Sequence, residues 1–238
     1  MEFSQLANNL LFTVQDPTTL AKMATVVATV NMPITAATML IQTSLFALTW
    51  LAIRLLVRHH GPFQSARSFT LVNSRFYALV SFCLLLLILD RNPQHDIYAR
   101  YAYHFSKLYE YIDILGVAAA KGEIDSHFGF HHLTTPWLTF VRVLPGTAGW
   151  RGFAAANAAH HVLVYAYFGG WEGVRGLLLW TGPAQLFWGM AVDAWNVWAR
   201  WGTGEQVWRF IVSAGLLATY RVLDEMEMRR RERVVKAD

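Results

Sequence analysis

The chain has 238 residues, of which 55% are hydrophobic and only 15% charged, with a formal net charge of +4 and a mean hydropathy of +0.29. A soluble domain carries about 25% charged residues, so the composition excludes an ordinary soluble enzyme and indicates a membrane protein with lipid, not nucleic acid, as its surroundings. The 10 Trp, 9 Tyr and 15 Phe suit rings anchored at bilayer interfaces, and the single cysteine, Cys83, can form no internal disulfide and reads as a small hydrophobe.

The opening "MEFSQLANNLLFTVQD" has neither a basic start nor a small-residue cleavage site, so no secretory signal is expected and the first span would target the chain. Residues 1–32 read as an N-terminal segment on the non-cytosolic side, with "DPTTLAKMATVVATV" having the look of an interfacial helix. A helix needs roughly 20 apolar residues to cross the hydrocarbon core. Seven stretches meet that measure, near Pro33–Val57, Val72–Leu89, Tyr101–Ala120, Phe128–Leu144, Gly152–Gly169, Val174–Trp195 and Val207–Leu223. The fourth and fifth are interrupted by polar residues at helical spacing, as expected of faces turned into a bundle. With no repeat, low-complexity tract or long linker, residues 33–225 read as one all-α, polytopic domain of seven transmembrane helices. Residues 226–238 read as a basic cytosolic tail. Arg54, Arg58 and Arg67 follow the first span, Lys121 the third, and Arg229, Arg230, Arg231 and Arg233 the seventh, which makes that side cytosolic. Arg91, Arg100, Arg142, Arg151 and Arg200 dilute the vote, although acidic neighbours accompany some of them.

Three polar clusters stand out from the apolar background. In the third span, "YHFSKLYEYID" places Lys107, Glu110 and Asp113 three residues apart on one broad helical face. A structural Lys–Glu pair closing a bundle seam would use the same spacing. In the fourth, "HFGFHHLTTPWLTF" carries His127, His131 and His132; an ionisable group in hydrocarbon is costly and points to function. Metal ligation, proton transfer, nucleophilic chemistry and hydrogen-bonded core histidines all remain open. Adjacent rings point about 100° apart, so only one of the doublet aims at any given point. In the fifth, "NAAHHVLVYAYF" stacks Asn157, His161 and Tyr165 on one face, a pattern that interhelical hydrogen bonding alone also produces; His160 points elsewhere and reads as structural. At a rise of about 1.5 Å per residue, Asp113, His131 and His161 lie roughly 12, 9 and 13 Å from the cytosolic rim. The three clusters can therefore converge in a pocket open to the cytosol.

In this order the residues resemble the ELO family of very-long-chain fatty acid elongases. "SKLYEYID" is similar to the family's lysine–glutamate–aspartate motif, "HFGFHHLTTP" to its histidine box, and "NAAHHVLVYAYF", with Asn157, His161, Tyr165 and Tyr167 in register, to its asparagine–histidine–tyrosine motif. "WTGPAQLFWGM", with Gln185, is a weaker match to its sixth-span motif. The resemblance implies a ring of six helices around a narrow acyl tunnel, with a seventh beside it. It implies the condensing step of elongation, in which long-chain acyl-CoA and malonyl-CoA give 3-oxoacyl-CoA, CO2 and CoA, a route that also supplies sphingolipid precursors. His131 would be the acyl-carrying nucleophile, with His161 and His132 in the catalytic set. Asn157, Tyr165, Tyr167, Gln185, Lys107, Glu110, Asp113 and His127 would form the substrate site, and Lys121 and Arg175 would suit the CoA phosphates. No tightly bound cofactor or metal is implied. The location would be the endoplasmic reticulum membrane, with the C-terminus cytosolic, and the partners the other enzymes of the cycle or a second copy of the chain. "RRRERVVKAD" has one lysine third from its end and no full dilysine signal.

The chain departs from the family pattern in several places. Three residues, rather than two, separate His127 from the doublet, so Phe128 takes the first-histidine position. A shift of about 100° would turn His127 away unless the backbone adjusts. Ile114 replaces a threonine, "AAAKG" is a reduced basic cluster, and the chain reads as a divergent member. Two other readings compete. The literal spacing His127–His131–His132 resembles the boxes of membrane di-iron desaturases and hydroxylases, whose iron imidazole suits, although His95 and His104 would lie toward the opposite side. A non-catalytic seven-helix transporter or receptor, or an inactive elongase-like partner, would also use buried polar residues.

Overall fold

A computed structural model of the chain describes residues 34–203 and 205–235. Among these residues it has seven α-helices and no strand: α1 Ala36–His60, α2 Gln64–Leu89, α3 Asp96–Lys121, α4 Ser126–Arg142, α5 Trp150–Phe168, α6 Arg175–Arg200 and α7 Trp208–Val235. One-turn 3-10 segments, Pro93–His95 and Glu172–Val174, lead into α3 and α6. The expected N-terminal segment 1–32, with its interfacial helix, and the last three residues of the tail lie outside the described residues. Contacts divide the chain into residues 1–36 and 37–238, and the second unit is described below.

Each expected span falls on a helix, but α2 begins well before Val72 and α7 continues to Val235, through the first part of the expected tail. Hydropathy marks what can enter hydrocarbon, whereas Arg and Glu are good helix formers outside it. The exposed end of α7 is also laced by Arg229–Glu225 (2.5 Å, i,i+4) and Arg221–Asp224 (3.2 Å, i,i+3).

Six helices close a circuit of neighbours. α2 packs on α3 and α5, α5 on α6, α6 on α7, α7 on α4, and α4 back on α3. α1 stands outside the circuit against α3 and α4: Phe46 stacks on Tyr111 at 3.9 Å, and Trp137 Nε1 donates to Thr43 Oγ1 at 2.8 Å. Behind the histidines, a Cβ on Gly129 of α4 would sit 2.7 Å from Trp50 Cη2, so the approach of α1 depends on that glycine. Gly122, at φ 80°, ends α3 in the left-handed conformation and turns the chain into α4.

Among the described residues two helices, α1 and α2, are long and apolar enough on their own to cross a membrane. The rest carry polar side chains on faces buried in the ring, such as Lys107, Glu110 and Asp113 on α3 and Asp193 and Asn196 on α6. The outer surface is the reverse: Leu40, Leu45, Leu48 and Leu51 of α1, Val72, Phe76 and Leu79 of α2, and Trp180, Trp195 and Trp198 of α6 are all exposed. An apolar exterior of that extent marks a membrane or protein contact rather than water.

The end at which α2, α4 and α6 finish, which we call the base, is stapled by arginines. Asp96 pairs with Arg100 Nε and Arg151 Nη2, each at 2.8 Å; Arg100 Nη1 donates to the Leu144 carbonyl at 2.5 Å and Arg151 Nη1 to that of Ile88 at 2.6 Å. Arg142 and Asp193, both fully buried, pair at 2.7 Å across α4 and α6. Arg142 is thus an interior residue and not one of the flanking charges it resembles in the sequence. In the turn after α2, the His95 imidazole, 2.5 Å from Asp90, holds that exposed carboxyl below its ordinary pKa, helped by the Asn92 N–H. The turn keeps this stabilisation above the usual carboxylate range and loses it as pH falls through the lowered value.

Two outcomes are expected in thermal unfolding of the detergent-solubilised protein. Arg142→Ala, which strands the Asp193 carboxylate, should cost about 3–5 kcal/mol, while Arg142→Met with Asp193→Leu should recover most of it; a double variant no better than the single one would contradict the pairing. Gly129→Val should cost about 1–3 kcal/mol by overpacking and be relieved by Trp50→Leu. No relief would mean that α1 does not rest on Gly129.

Candidate functional site

The polar face of α3 turns into the ring as its spacing requires, and Lys107, Glu110 and Asp113 are all buried. Glu110 is the hub. Lys107 Nζ donates to its Oε1 at 2.6 Å, and the Tyr77 hydroxyl lies between the same oxygen (3.1 Å) and the Ser106 carbonyl (2.8 Å). His161 Nδ1 of α5 is 3.4 Å from Oε1 and His132 Nδ1 of α4 is 3.2 Å from Oε2. Both histidine contacts are within electrostatic reach, but neither has hydrogen-bond geometry. Lys107 Nζ also lies 3.4 Å from His161 Nε2 and 5.0 Å from the Tyr103 ring centroid. One carboxylate therefore ties four helices together, and its burial is tolerable because cations and donors surround it.

One turn toward the mouth of the ring, Asp113 accepts from Asn73 Nδ2 at 3.2 Å, and Tyr109 donates to Asn73 Oδ1 at 2.5 Å. Tyr77 stacks on Tyr109 at 5.0 Å and meets the edge of Tyr165 at 4.5 Å. Sequence reasoning missed Asn73 and Tyr77. The available signal was their i,i+4 spacing, with Ser74 and Ser81, inside an otherwise apolar span.

α4 starts on Asp125, whose carboxylate accepts from the Phe128 N–H at 2.7 Å, and this fixes the helix before the histidines. His127 and His131, four residues apart, stack at 5.8 Å with their planes within 19°. An unbroken helix puts i and i+4 on one face, so His127 is turned from the position that Phe128 occupies and lies toward His131 instead. Phe128, in the first-histidine position of the resemblance, packs edge-on against His132 at 4.6 Å. His131 is held edge-on by Tyr220 of α7 at 4.6 Å, and the Tyr220 and Thr134 hydroxyls are 2.8 Å apart. Pro136 lies inside α4 and cannot donate to the His132 carbonyl one turn before it.

These groups surround an open chamber of about 440 Å³, lined by His127, His131, His132, His160, His161, Tyr165, Tyr167, Gln185 and Asp113, with Val164, Leu178, Leu179 and Met228 among its apolar walls. A second chamber of about 560 Å³, bordered by Arg67, Ser74, Lys121 and Glu123, shares Asp113, Phe128 and Phe168 with the first. Both volumes lie in the range of small-molecule sites, roughly 300–1,000 Å³. His160 is bonded to Thr181 at 2.8 Å, in keeping with a structural role, although it also borders the chamber. Arg175, at the start of α6, lines neither chamber.

Asn157 and Gln185 sit deeper than their neighbours. Tyr103 donates to Asn157 Oδ1 at 2.8 Å and Asn157 Nδ2 donates to Gln185 Oε1 at 2.9 Å, making a polar crossbar from α3 through α5 to α6. Against it the ring interior holds a cavity of only about 20 Å³, lined by these three residues and by Lys107, His131, Leu138, Phe153, Leu217 and Tyr220 among others. Tyr103, Tyr220 and the Arg142–Asp193 pair were also missed in the sequence.

What the arrangement leaves unpaired is as informative as what it pairs. His127 Nδ1, His131 Nδ1, His132 Nδ1, His161 Nδ1 and Glu110 Oε2 are buried without a hydrogen-bond partner. Of these, His132 Nδ1, His161 Nδ1 and the Glu110 carboxylate still face one another in the hub, whereas His127 Nδ1 and His131 Nδ1 have neither a hydrogen-bond nor an ion-pair partner. Buried polar atoms in proteins are nearly always bonded, so these two beside the chamber mark a place suited to a ligand or water. Among the described residues no group of three His, Cys, Asp or Glu side chains is arranged to hold a metal ion. Of the remaining histidines, His104 is buried on Thr139 at 2.7 Å, and His95 sits at the base. The chain matches no family model, no curated protein and no solved structure.

The hub makes a graded prediction. Glu110→Ala should lower stability by about 3–5 kcal/mol through the stranded Lys107, and Tyr77→Phe by about 1–3 kcal/mol. Thermal unfolding that ranked them the other way would show that Glu110 is not the centre of the network.

Proposed function

We propose that the chain is a divergent, polytopic membrane elongase of the ELO type that condenses long-chain acyl-CoA with malonyl-CoA to 3-oxoacyl-CoA, CO2 and CoA. The observation that carries the reading is the gathering of His127, His131, His132 and His161 around one chamber bordered by apolar side chains, with the Nδ1 atoms of His127 and His131 left without a partner. In this reading all seven helices cross the endoplasmic reticulum membrane. The six-helix circuit encloses the acyl site, the base faces the lumen, and the mouth and C-terminus face the cytosol. The exposed aliphatic and Trp side chains support the membrane location. Elongation-cycle enzymes or a second copy of the chain are its proposed partners.

His131 is the proposed nucleophile, since Nδ1 is buried and Nε2 is then the nitrogen a thioester in the chamber can meet. Nε2 attacks the acyl carbonyl carbon, the C–S bond breaks, and the CoA thiolate leaves and takes a proton from water at the mouth. The acyl-imidazolium keeps its Nδ1 proton. Malonyl-CoA then loses CO2, and the electron pair left on its α-carbon attacks the acyl carbonyl as the C–N bond breaks, releasing neutral His131. Lys107 borders the inner cavity with His131 and supplies positive charge near the oxyanion of each addition. His161, between Lys107 and Glu110, positions the thioester, and His132 and Asp113 balance charge around it. Tyr165 and Tyr167 line the CoA side.

The test is intact mass of the purified protein after exposure to a long-chain acyl-CoA, with peptide mapping. An acyl adduct on His131, released by malonyl-CoA as 3-oxoacyl product and absent in His131→Ala, is expected. His161→Ala should slow turnover by about 10²–10⁴-fold while remaining folded. Undiminished product from His131→Ala would remove the nucleophile assignment.

A further inference from the structure

We infer that Tyr220 of α7 is a positioning residue for His131, setting the plane of its imidazole by ring packing where no hydrogen bond does so. The inference rests on the acyl-transfer reading above and deepens it by naming what holds the nucleophile. A catalytic histidine is ordinarily oriented by a partner on its second ring nitrogen. Among the described residues His131 has none: Nδ1 is buried without a hydrogen bond, and the two imidazoles that face Glu110 are those of His132 and His161. The torsion that turns an imidazole about its bond to Cβ is intrinsically broad. Only the rings around His131 therefore oppose its rotation.

Three rings touch it. His127 stacks at 5.8 Å with planes 19° apart, His132 crosses at 5.0 Å and 84°, and Tyr220 meets it at 4.6 Å and 69°. The two histidines belong to α4 and move with it, whereas Tyr220 is the nearest of the three and comes from another helix. Its hydroxyl is 2.8 Å from Thr134 Oγ1. Thr134 has a single hydroxyl proton and donates it to the Phe130 carbonyl at 2.7 Å, so Tyr220 is the donor of the shared bond. The tip of Tyr220 is thus tethered to α4 one turn beyond His131, while its ring lies against the imidazole and edge-on to Phe130 at 6.1 Å. Tyr220 also borders the chamber. Attack on a thioester held there requires the imidazole to be aligned with the acyl carbon, and a misplacement of about 1 Å costs about 10²-fold in rate. A small electrophile that no site holds has no such requirement.

The experiment measures two rates at His131 by peptide mapping: acylation by a long-chain acyl-CoA, and carbethoxylation by diethyl pyrocarbonate. Tyr220→Phe and Thr134→Val each cut the tether with little change in shape, and Tyr220→Leu removes the ring. Elution volume and thermal midpoint establish that each is folded, and the two tether variants carry the test if the leucine variant is not. Acylation should fall about fivefold in each tether variant, no further when the two are combined, and about 10²-fold in Tyr220→Leu. Carbethoxylation should proceed at the native rate in all of them. Native acylation in a folded tether variant overturns the role of Tyr220. Carbethoxylation that falls in step with acylation also overturns it, since the site has then closed rather than lost alignment. A native chain that is carbethoxylated at His131 but never acylated removes the acyl-transfer reading and this inference with it.

Discussion

A carboxylate held at the centre of a helical ring constrains everything around it. Glu110 is fully buried, and an uncompensated charge there would not be tolerated, so α2 must deliver Tyr77, α4 His132, α5 His161 and α3 Lys107 to the same place. Four helices are thereby fixed in register by one group. The histidines that face the chamber owe their positions to this requirement as much as to packing: His161 lies against the hub, and His131 is set by its neighbour His132 on the same helix.

Lys107 and Glu110 alone would be adequately explained as a structural pair. The difficulty for that view is the remainder of the site. A purely structural network tends to close on itself, because an unpaired polar atom in a low-dielectric interior is costly. Here the network closes on the α2–α3 side, through Asn73, Tyr77 and Tyr109, and stays open on the side facing α4 and the chamber. This asymmetry within one cluster separates a seam from a site, and it agrees with the two chambers meeting at Asp113.

Much of this was legible in the sequence because helical periodicity survives inside an apolar span. Lys107, Glu110 and Asp113 at intervals of three, and Asn157, His161 and Tyr165 at intervals of four, turn inward as their spacing requires. Residues whose importance arises from a partner far along the chain were not legible. Arg142 looks like a helix-flanking charge until Asp193 of α6 lies beside it. Tyr103 is one more aromatic in an aromatic run until Asn157 accepts its proton from another helix. His127 was legible only in part. The spacing shows it turned from the position that Phe128 occupies, but its stacking on His131 depends on the helix being capped by Asp125 and unbroken to His132. Helix ends were least legible, since hydropathy changes where the surroundings do and not where the hydrogen-bond ladder stops.

The two ends of the ring are held to different degrees. At the base, Arg100, Arg142 and Arg151 spend their donors on Asp96, Asp193 and the carbonyls of Leu144 and Ile88, binding helix ends that would otherwise fray. At the mouth Arg75 Nε donates to the Gly169 carbonyl at 2.7 Å and ties α2 to the end of α5, but among the described residues no comparable staple joins α4 to α5, and the space between them is chamber. Local opening costs least where few buried contacts resist it, so motion that admits a ligand should be confined to the mouth while the base holds the helices in register. Because the Glu110 hub lies between the two ends, helices that part at the mouth would still pivot about fixed points. The histidines could then meet a ligand without losing their alignment to one another.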